Sequence, residues 1–272
     1  MIQDLPRTYQ REQHPLIECS YTCDHCELGK RKQRLNQFPM RPKDPRHFTV
    51  PGAGPDDLSK VRLIILSDHS GHYESNEKNI HPMVDMSLQQ NERVKGILKP
   101  RNAGAFLRMA LNLMFGLDTY HDCWITNAVK CNPFDQKIIE SRHIKPCVSQ
   151  WLTSEFLVLQ EHCPDAPLLV AGTQAFRACK LMFKQERKLL EEYGLNGCRR
   201  RGNITLGGRP AIFTENPAKI ARAEPRIESS ISVKDGVTTV DRNEWLYPPL
   251  PGSPVASFIN DLKFLEPFLN GQ

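Results

Sequence analysis

The chain has 272 residues, 39% hydrophobic and 25% charged, and carries a net charge of +5. That is enough chain to bury a substantial core in one domain, and no apolar run approaches a membrane span. Nine cysteines, an odd number, argue against a disulfide scaffold and for reduced thiols, some of them metal-bound.

The opening, MIQDLPRTYQREQHP, has no apolar segment of the secretory kind, which points to the cytoplasm. Next comes CDHC, a CxxC pair of Cys23 and Cys26, and then a basic block, GKRKQR, over Gly29 to Arg34. Proline and glycine crowd residues 38–55, an extended loop leading into the fold. Four short apolar runs then read as buried strands: Val61 to Leu66, Cys123 to Val129, Pro167 to Gly172, and Arg209 to Thr214. Helical periodicity separates them, over Ala103 to Gly116, after His143, and in one run from Thr173 to Tyr193. Strands alternating with helices predict a three-layer α/β/α sandwich around a four-stranded, mostly parallel sheet. The final stretch, SFINDLKFLEPFL, reads as an amphipathic helix lying on that sheet.

Ligands of such sheets bind beyond the carboxyl ends of the strands. The residues there are SDHSG (Ser67 to Gly71), TNAVKC (Thr126 to Cys131), GTQAF (Gly172 to Phe176) and ENPA (Glu215 to Ala218). Polar side chains suited to binding or catalysis cluster at all four ends. Cys131 and Cys147 follow the second end with fifteen residues between them. Together with Cys23 and Cys26 they furnish four thiolates, a set that suits zinc or an iron–sulfur cluster equally by spacing alone. A second basic block, CRRRGN, covers Cys198 to Asn203, and such blocks either touch phosphate or are merely solvated.

These motifs together resemble the family 4 uracil-DNA glycosylases. CxxCxLG at Cys23, Cys26, Leu28 and Gly29 is in register with that family, as are Asn127, Lys130, Cys131, Cys147, Trp151 and Leu152. The similarity runs on through Ala103, Gly104 and Leu107, LVAGTQAF and RGNITLGGRPAIFTENPA. It implies one glycosylase-like domain over 1–272, with 1–60 a cluster-binding and loop segment and 223–250 an insertion. It also implies a structural [4Fe-4S] cluster on Cys23, Cys26, Cys131 and Cys147, with zinc the lesser choice. DNA is the implied partner, and the expected state is a cytoplasmic monomer without membrane attachment.

A glycosylase extrudes a nucleotide, grips its base and lets the N-glycosidic bond break. In the resemblance Asp68 occupies the acidic position of the first motif, GEAPG in the family and SDHSG here, and would orient water or stabilise the sugar cation. The lesser alternative is an Asp at a strand end that caps the following helix. Ser67 and Gly71 flank it and fall to the base, and His69 is a candidate proton donor to a poor leaving group. Asn127 would read the base edge, its amide offering both a donor and an acceptor. Arg199, Arg200, Arg201 and Lys219 would grip phosphates.

The chain departs from the family at three places. The first motif is altered, Lys99 stands at the position of the phenylalanine that stacks on uracil, and Asn216 replaces the second-motif histidine. The loop from Gly71 to Gly96 is also longer and polar. A roomier, wetter pocket fits a pyrimidine with a bulky hydrophilic substituent, such as the glucosylated hydroxymethylcytosine of some phage DNA, which would make this an antiviral defence enzyme. Uracil repair and an inactive iron–sulfur DNA binder are the alternatives.

Overall fold

Four apolar strands and a short fifth form the central sheet of the protein, seen here in a computed structural model. It describes Cys23 and residues 25–37, 49–50, 52–69, 97–98, 103–133, 139–223, 227–234, 237–245 and 251–270. The strands are β1 (Leu63–His69), β3 (Cys123–Val129), β4 (Leu168–Ala171), β5 (Ile204–Leu206) and β6 (Arg209–Thr214), with β2 (Ile97–Leu98) set apart. Their order is β3-β1-β4-β6-β5, and the first four run parallel.

The pleat divides the core into two halves. Ile64 and Leu66 face one side with Trp124, Leu168, Val170 and Phe213. Leu63 and Ile65 face the other with Cys123, Ile125, Leu169 and Ile212. The first half is covered by α3 (Ser141–Cys147), α4 (Thr153–His162), α5 (Thr173–Met182) and α6 (Arg187–Arg201). On the second lie α2 (Ala103–Phe115), α7 (Pro217–Ala223), α8 (Pro254–Lys263) and α9 (Glu266–Leu269). The sandwich is therefore three-layered, as its alternating pattern predicts, and the C-terminal amphipathic segment does pack on the sheet.

Three details differ from the sequence reading. The sheet has five strands, not four, because Gly207 and Gly208 turn β5 back onto β6 as an antiparallel hairpin. Both glycines have positive φ, 55° and 87°, the pairing that a two-residue hairpin turn requires. The helix from Thr173 is broken after Met182, and Glu186 in the break accepts a hydrogen bond from the Gly207 amide at 3.0 Å. Beyond α7, β7 (Ile227–Lys234) and β8 (Val237–Trp245) form a hairpin, and β2 adds to it as a third antiparallel strand. This second sheet sits against α2.

Before β1, α1 (Glu27–Gln37) follows the CxxC pair, and Val50 and Ala53 meet β3 and the residue after it. Ala53 bridges Ile125 in both directions, at 2.7 and 2.6 Å, and the Val50 amide donates to the Lys130 carbonyl. A Cβ on Gly54 would stand 2.7 Å from the Cys123 carbonyl oxygen, so only glycine fits this approach. Behind it a buried ion pair ties β3 to α4: Lys130 meets Glu155 at 2.7 Å, and Glu155 also accepts from the Trp124 indole. Among the described residues, no helix is long and apolar enough to cross a membrane.

Candidate active site

The crossover from β3 back over β1 to β4 creates a topological switch point at the carboxyl ends of β1 and β4, where open α/β sheets bind ligands. Asp68 stands there, 9% exposed and so within reach of solvent. Its Oδ1 accepts from the amides of Gln174 (2.7 Å) and Ala175 (3.1 Å), the first turn of α5. Its Oδ2 accepts from Asn216 Nδ2 at 2.8 Å. Asp68 does cap a helix, but one 106 residues away rather than the helix that follows it. A carboxylate has about four acceptor positions, so three donors fix it and leave room for a water.

Gly172 makes this approach possible. Its φ is 115°, and a Cβ there would lie 2.4 Å from Asp68 Oδ1. Gly172→Ala should therefore push Asp68 off the α5 amides and strain the backbone by about 1–3 kcal/mol. A lowered denaturation midpoint together with lost base excision would be the result, read by urea unfolding and an excision assay on one preparation.

Asn216 sits between β6 and α7 and is doubly engaged. Its Nδ2 donates to Asp68, and its Oδ1 accepts from the Ala218 amide at 2.8 Å, capping α7. One amide hydrogen remains for a departing base. The Asp68–Asn216 contact links the two motif residues that the sequence places 148 positions apart.

On the opposite face of the sheet, Ser67 and Asn127 are register partners. The Ser67 hydroxyl donates to Asn127 Oδ1 at 2.7 Å, and the asparagine side chain is fully buried. Asn127 Nδ2 finds no acceptor among the described residues. A buried amide hydrogen without a partner costs about 1–3 kcal/mol, and a ligand acceptor would recover that. His69, half-buried, is on the Ser67 side of the strand by pleat alternation and not on the Asp68 side. Gly71 and Lys99, together with the long loop after Gly71, lie outside the described residues.

The basic run behaves differently from its reading as a phosphate grip. Arg199 is buried, and its guanidinium binds Asp261 at 2.8 Å, Glu215 at 3.0 Å and the Ser257 hydroxyl at 2.7 Å. The expectation of a phosphate contact is corrected here, because this guanidinium already serves two carboxylates beside Asn216. Burial pushes the Asp261 carboxyl up despite Arg199 and Thr214, while the hydrogen bond from Lys219 holds Glu215 below the ordinary range. Arg200 is exposed, and Arg201 stacks 3.7 Å above the Tyr193 ring. Lys219 is exposed but paired with Glu215 at 2.6 Å.

Cys23, Cys26, Cys131 and Cys147 are all buried free thiols. Burial lifts Cys131 to about 11, opposed by the nearby Lys32 ammonium and a hydrogen bond with Thr49, and Cys23 and Cys26 add to the rise. Burial also lifts Cys147 well above the ordinary thiol range, with Cys131 and Cys26 adding to it. Lys32, itself buried, donates to Thr49 at 2.6 Å, and Thr49 Oγ1 lies 3.7 Å from Cys131 Sγ. Among the described residues, no group of three or more His, Cys, Asp or Glu side chains that could hold a metal ion is found.

The sequence reading placed GTQAF at a ligand-facing strand end but missed its use. Gln174 and Ala175 act through backbone amides, which no side-chain pattern reveals, and only the glycine before the helix could have signalled the close approach.

A family model, the uracil DNA glycosylase superfamily, matches residues 54–233, about two thirds of the chain. No curated protein matches the chain significantly.

Proposed function

The chain belongs to the uracil DNA glycosylase superfamily, and on that footing we propose that it hydrolyses the N-glycosidic bond of a flipped-out modified pyrimidine in DNA. Membership carries DNA glycosylase activity in general, a hydrolysis that leaves an abasic site. The observation that carries the finer reading is the pair of side chains on either side of the sheet rim, Asp68 anchored on one face and the unpartnered Asn127 amide on the other.

In this reading the extruded nucleotide enters between them. Asn127 Nδ2 donates to an acceptor on the pyrimidine edge, and Ser67 keeps the amide from turning. Asp68 orients a water toward C1′ and stabilises the positive charge that develops on the sugar. The water oxygen bonds to C1′, the N–C1′ bond breaks with its electron pair on the base, and the proton from water ends on the base. Asn216 supports the departing base with its second amide hydrogen.

The substrate we propose is a bulky hypermodified cytosine of phage DNA, in an antiviral role. Three things support it: Lys99 in place of a stacking ring, Asn216 in place of histidine, and the β2–β7–β8 sheet, which attaches the residues just before Lys99 to an additional hairpin. Ordinary uracil excision is the second reading, because the Asn127 donor meets O4 of uracil as readily as the ring nitrogen of a cytosine.

The four thiols fit a [4Fe-4S] cluster by chemistry: soft, buried donors from two chain segments, with a cation nearby. Cys23, Cys26, Cys131 and Cys147 would hold it, and its contribution is structural, tying α1 and α3 to the end of β3.

The test incubates purified protein with uracil-containing DNA, unmodified DNA, and phage DNA carrying glucosylated hydroxymethylcytosine, then reveals abasic sites with alkali. Strand breaks in the glucosylated DNA alone are the expected result. Breaks in the uracil DNA alone would move the protein to repair, and DNA binding without breaks in any would make it an inactive binder.

A further inference from the structure

We propose that the basic cleft between α3, α5 and α6 is the track for DNA backbone phosphates beside the extruded nucleotide, an inference that rests on the glycosylase reading above. The cleft has a volume of about 690 Å³. Arg142, Lys145, Arg177, Lys180 and Arg187 line it against the carboxylates of Glu140 and Glu191, an excess of three positive charges. Arg142 is paired with Glu140 and Arg187 with Glu191, both on well-exposed side chains where such pairs open readily. Arg177, Lys145 and Lys180 make up the excess.

Position is the second argument. Gln174, Arg177 and Lys180 fall at i, i+3 and i+6 on α5, along one stripe of the helix. Gln174 holds Asp68 through its amide, and Arg177 donates to the Gln174 side chain (3.4 Å) and to the Ile139 carbonyl (3.2 Å). The cleft thus starts one helical turn from Gln174, whose amide holds Asp68, and its α5 lining, Arg177 to Leu181, covers about 6 Å of the helix. That is about two nucleotides at the ~3.4 Å rise per nucleotide of one strand. Lys145 also lines a neighbouring hollow of about 510 Å³ with His25, Ser149 and Gln150, so the track continues over α3 toward the cysteine pair.

The third argument is what the other cations are doing. Arg199 is buried on two carboxylates, Arg201 lies on Tyr193 and Lys219 is held by Glu215. Of the arginine run that the sequence offers for this task, Arg199 is committed to two carboxylates of the protein itself. A groove with a charge excess, leading away from the reacting position, is what a backbone needs to be positioned without its sequence being read.

The experiment measures binding of the full chain to a fluorescent duplex carrying a tetrahydrofuran abasic analogue, over a range of salt concentrations. Because that DNA has no base to remove, the result stands whichever base is excised. Lys145→Ala/Lys180→Ala should weaken binding by about tenfold and flatten the log–log salt dependence by about 2, close to 0.9 for each lost phosphate contact. Lys145→Glu alone, with Lys180 kept on the Phe176 ring, should weaken binding at least as much while preserving the thermal midpoint. The comparison variant, Arg200→Ala/Arg201→Ala, should change binding less. Unchanged affinity and salt slope in both cleft variants would overturn the proposal, as would a loss seen only with the arginine-run pair.

Discussion

Asp68→Asn should lower the single-turnover excision rate by on the order of 10²–10⁴ while leaving DNA affinity nearly intact. The size of the effect follows from what the substitution does to the three donors around that side chain. Gln174 N, Ala175 N and Asn216 Nδ2 all point hydrogens at carboxylate oxygens. An asparagine of the same shape must turn its own NH₂ toward at least one of them, so one hydrogen bond is replaced by a donor–donor clash. With its oxygen kept on the two α5 amides its NH₂ faces Asn216 Nδ2, so that contact opens, the water loses its anionic orienting oxygen, and the sugar cation loses its counter-charge. Stability should fall as well, by about 1 kcal/mol, because Asp68 caps α5. Excision and affinity are therefore read separately, with circular dichroism reporting the fold. A variant that excises within threefold of the parent would remove Asp68 from the chemistry and leave it as a helix cap.

The parts of this site legible in the sequence are those carried by short-range pattern. β3 and β6 fall at the bounds their apolar runs give, and β1 and β4 within two or three residues, because a strand buried on both faces has to be apolar at nearly every position. From the strands, the sheet ends and their polar residues follow, so Asp68, Asn127 and Asn216 could be named as a group. What each of them touches could not. The donors to Asp68 are backbone amides contributed by a glycine-led turn, and Asn216 lies across the sheet on a loop with its own helix to cap.

Arg199 shows the opposite failure. Three consecutive arginines look like a phosphate grip, but they end a helix whose C-terminal end reaches α8. Asp261, 62 positions further on, claims the first of them. Periodicity could have hinted at this, since Cys198 beside it is fully buried and residues near a buried position on a helix end often turn inward. The break between α5 and α6 was missed for a related reason. Apolar spacing continues through it, while the contact that fixes it comes from Gly207 on another element.

The larger stability effect belongs to the cysteines. Purified from an expression host supplied with iron, the protein should carry about four irons and four acid-labile sulfides, with a broad visible absorbance. Cys131→Ser should lose that iron and absorbance, and its thermal midpoint should fall steeply. The reason lies in where Cys131 sits. It follows the end of β3 directly, with Lys130 buried on Glu155 behind it and Lys32 and Thr49 in front. Losing the cluster would free α1 and α3 from each other. Where metal binding is coupled to folding its free energy is folding free energy, about 10 kcal/mol or more in small zinc domains. Several kcal/mol of that is at stake here, spread over a larger core. Cys179→Ala, a change at a buried thiol packed between α5 and the sheet, should leave iron content untouched while costing no more than ordinary core truncation. Zinc in place of iron would keep the four ligands and replace the cluster. A metal-free protein as stable as its Cys131→Ser variant would remove the metal altogether, and the four thiols would then be packing residues that happen to share one corner of the fold.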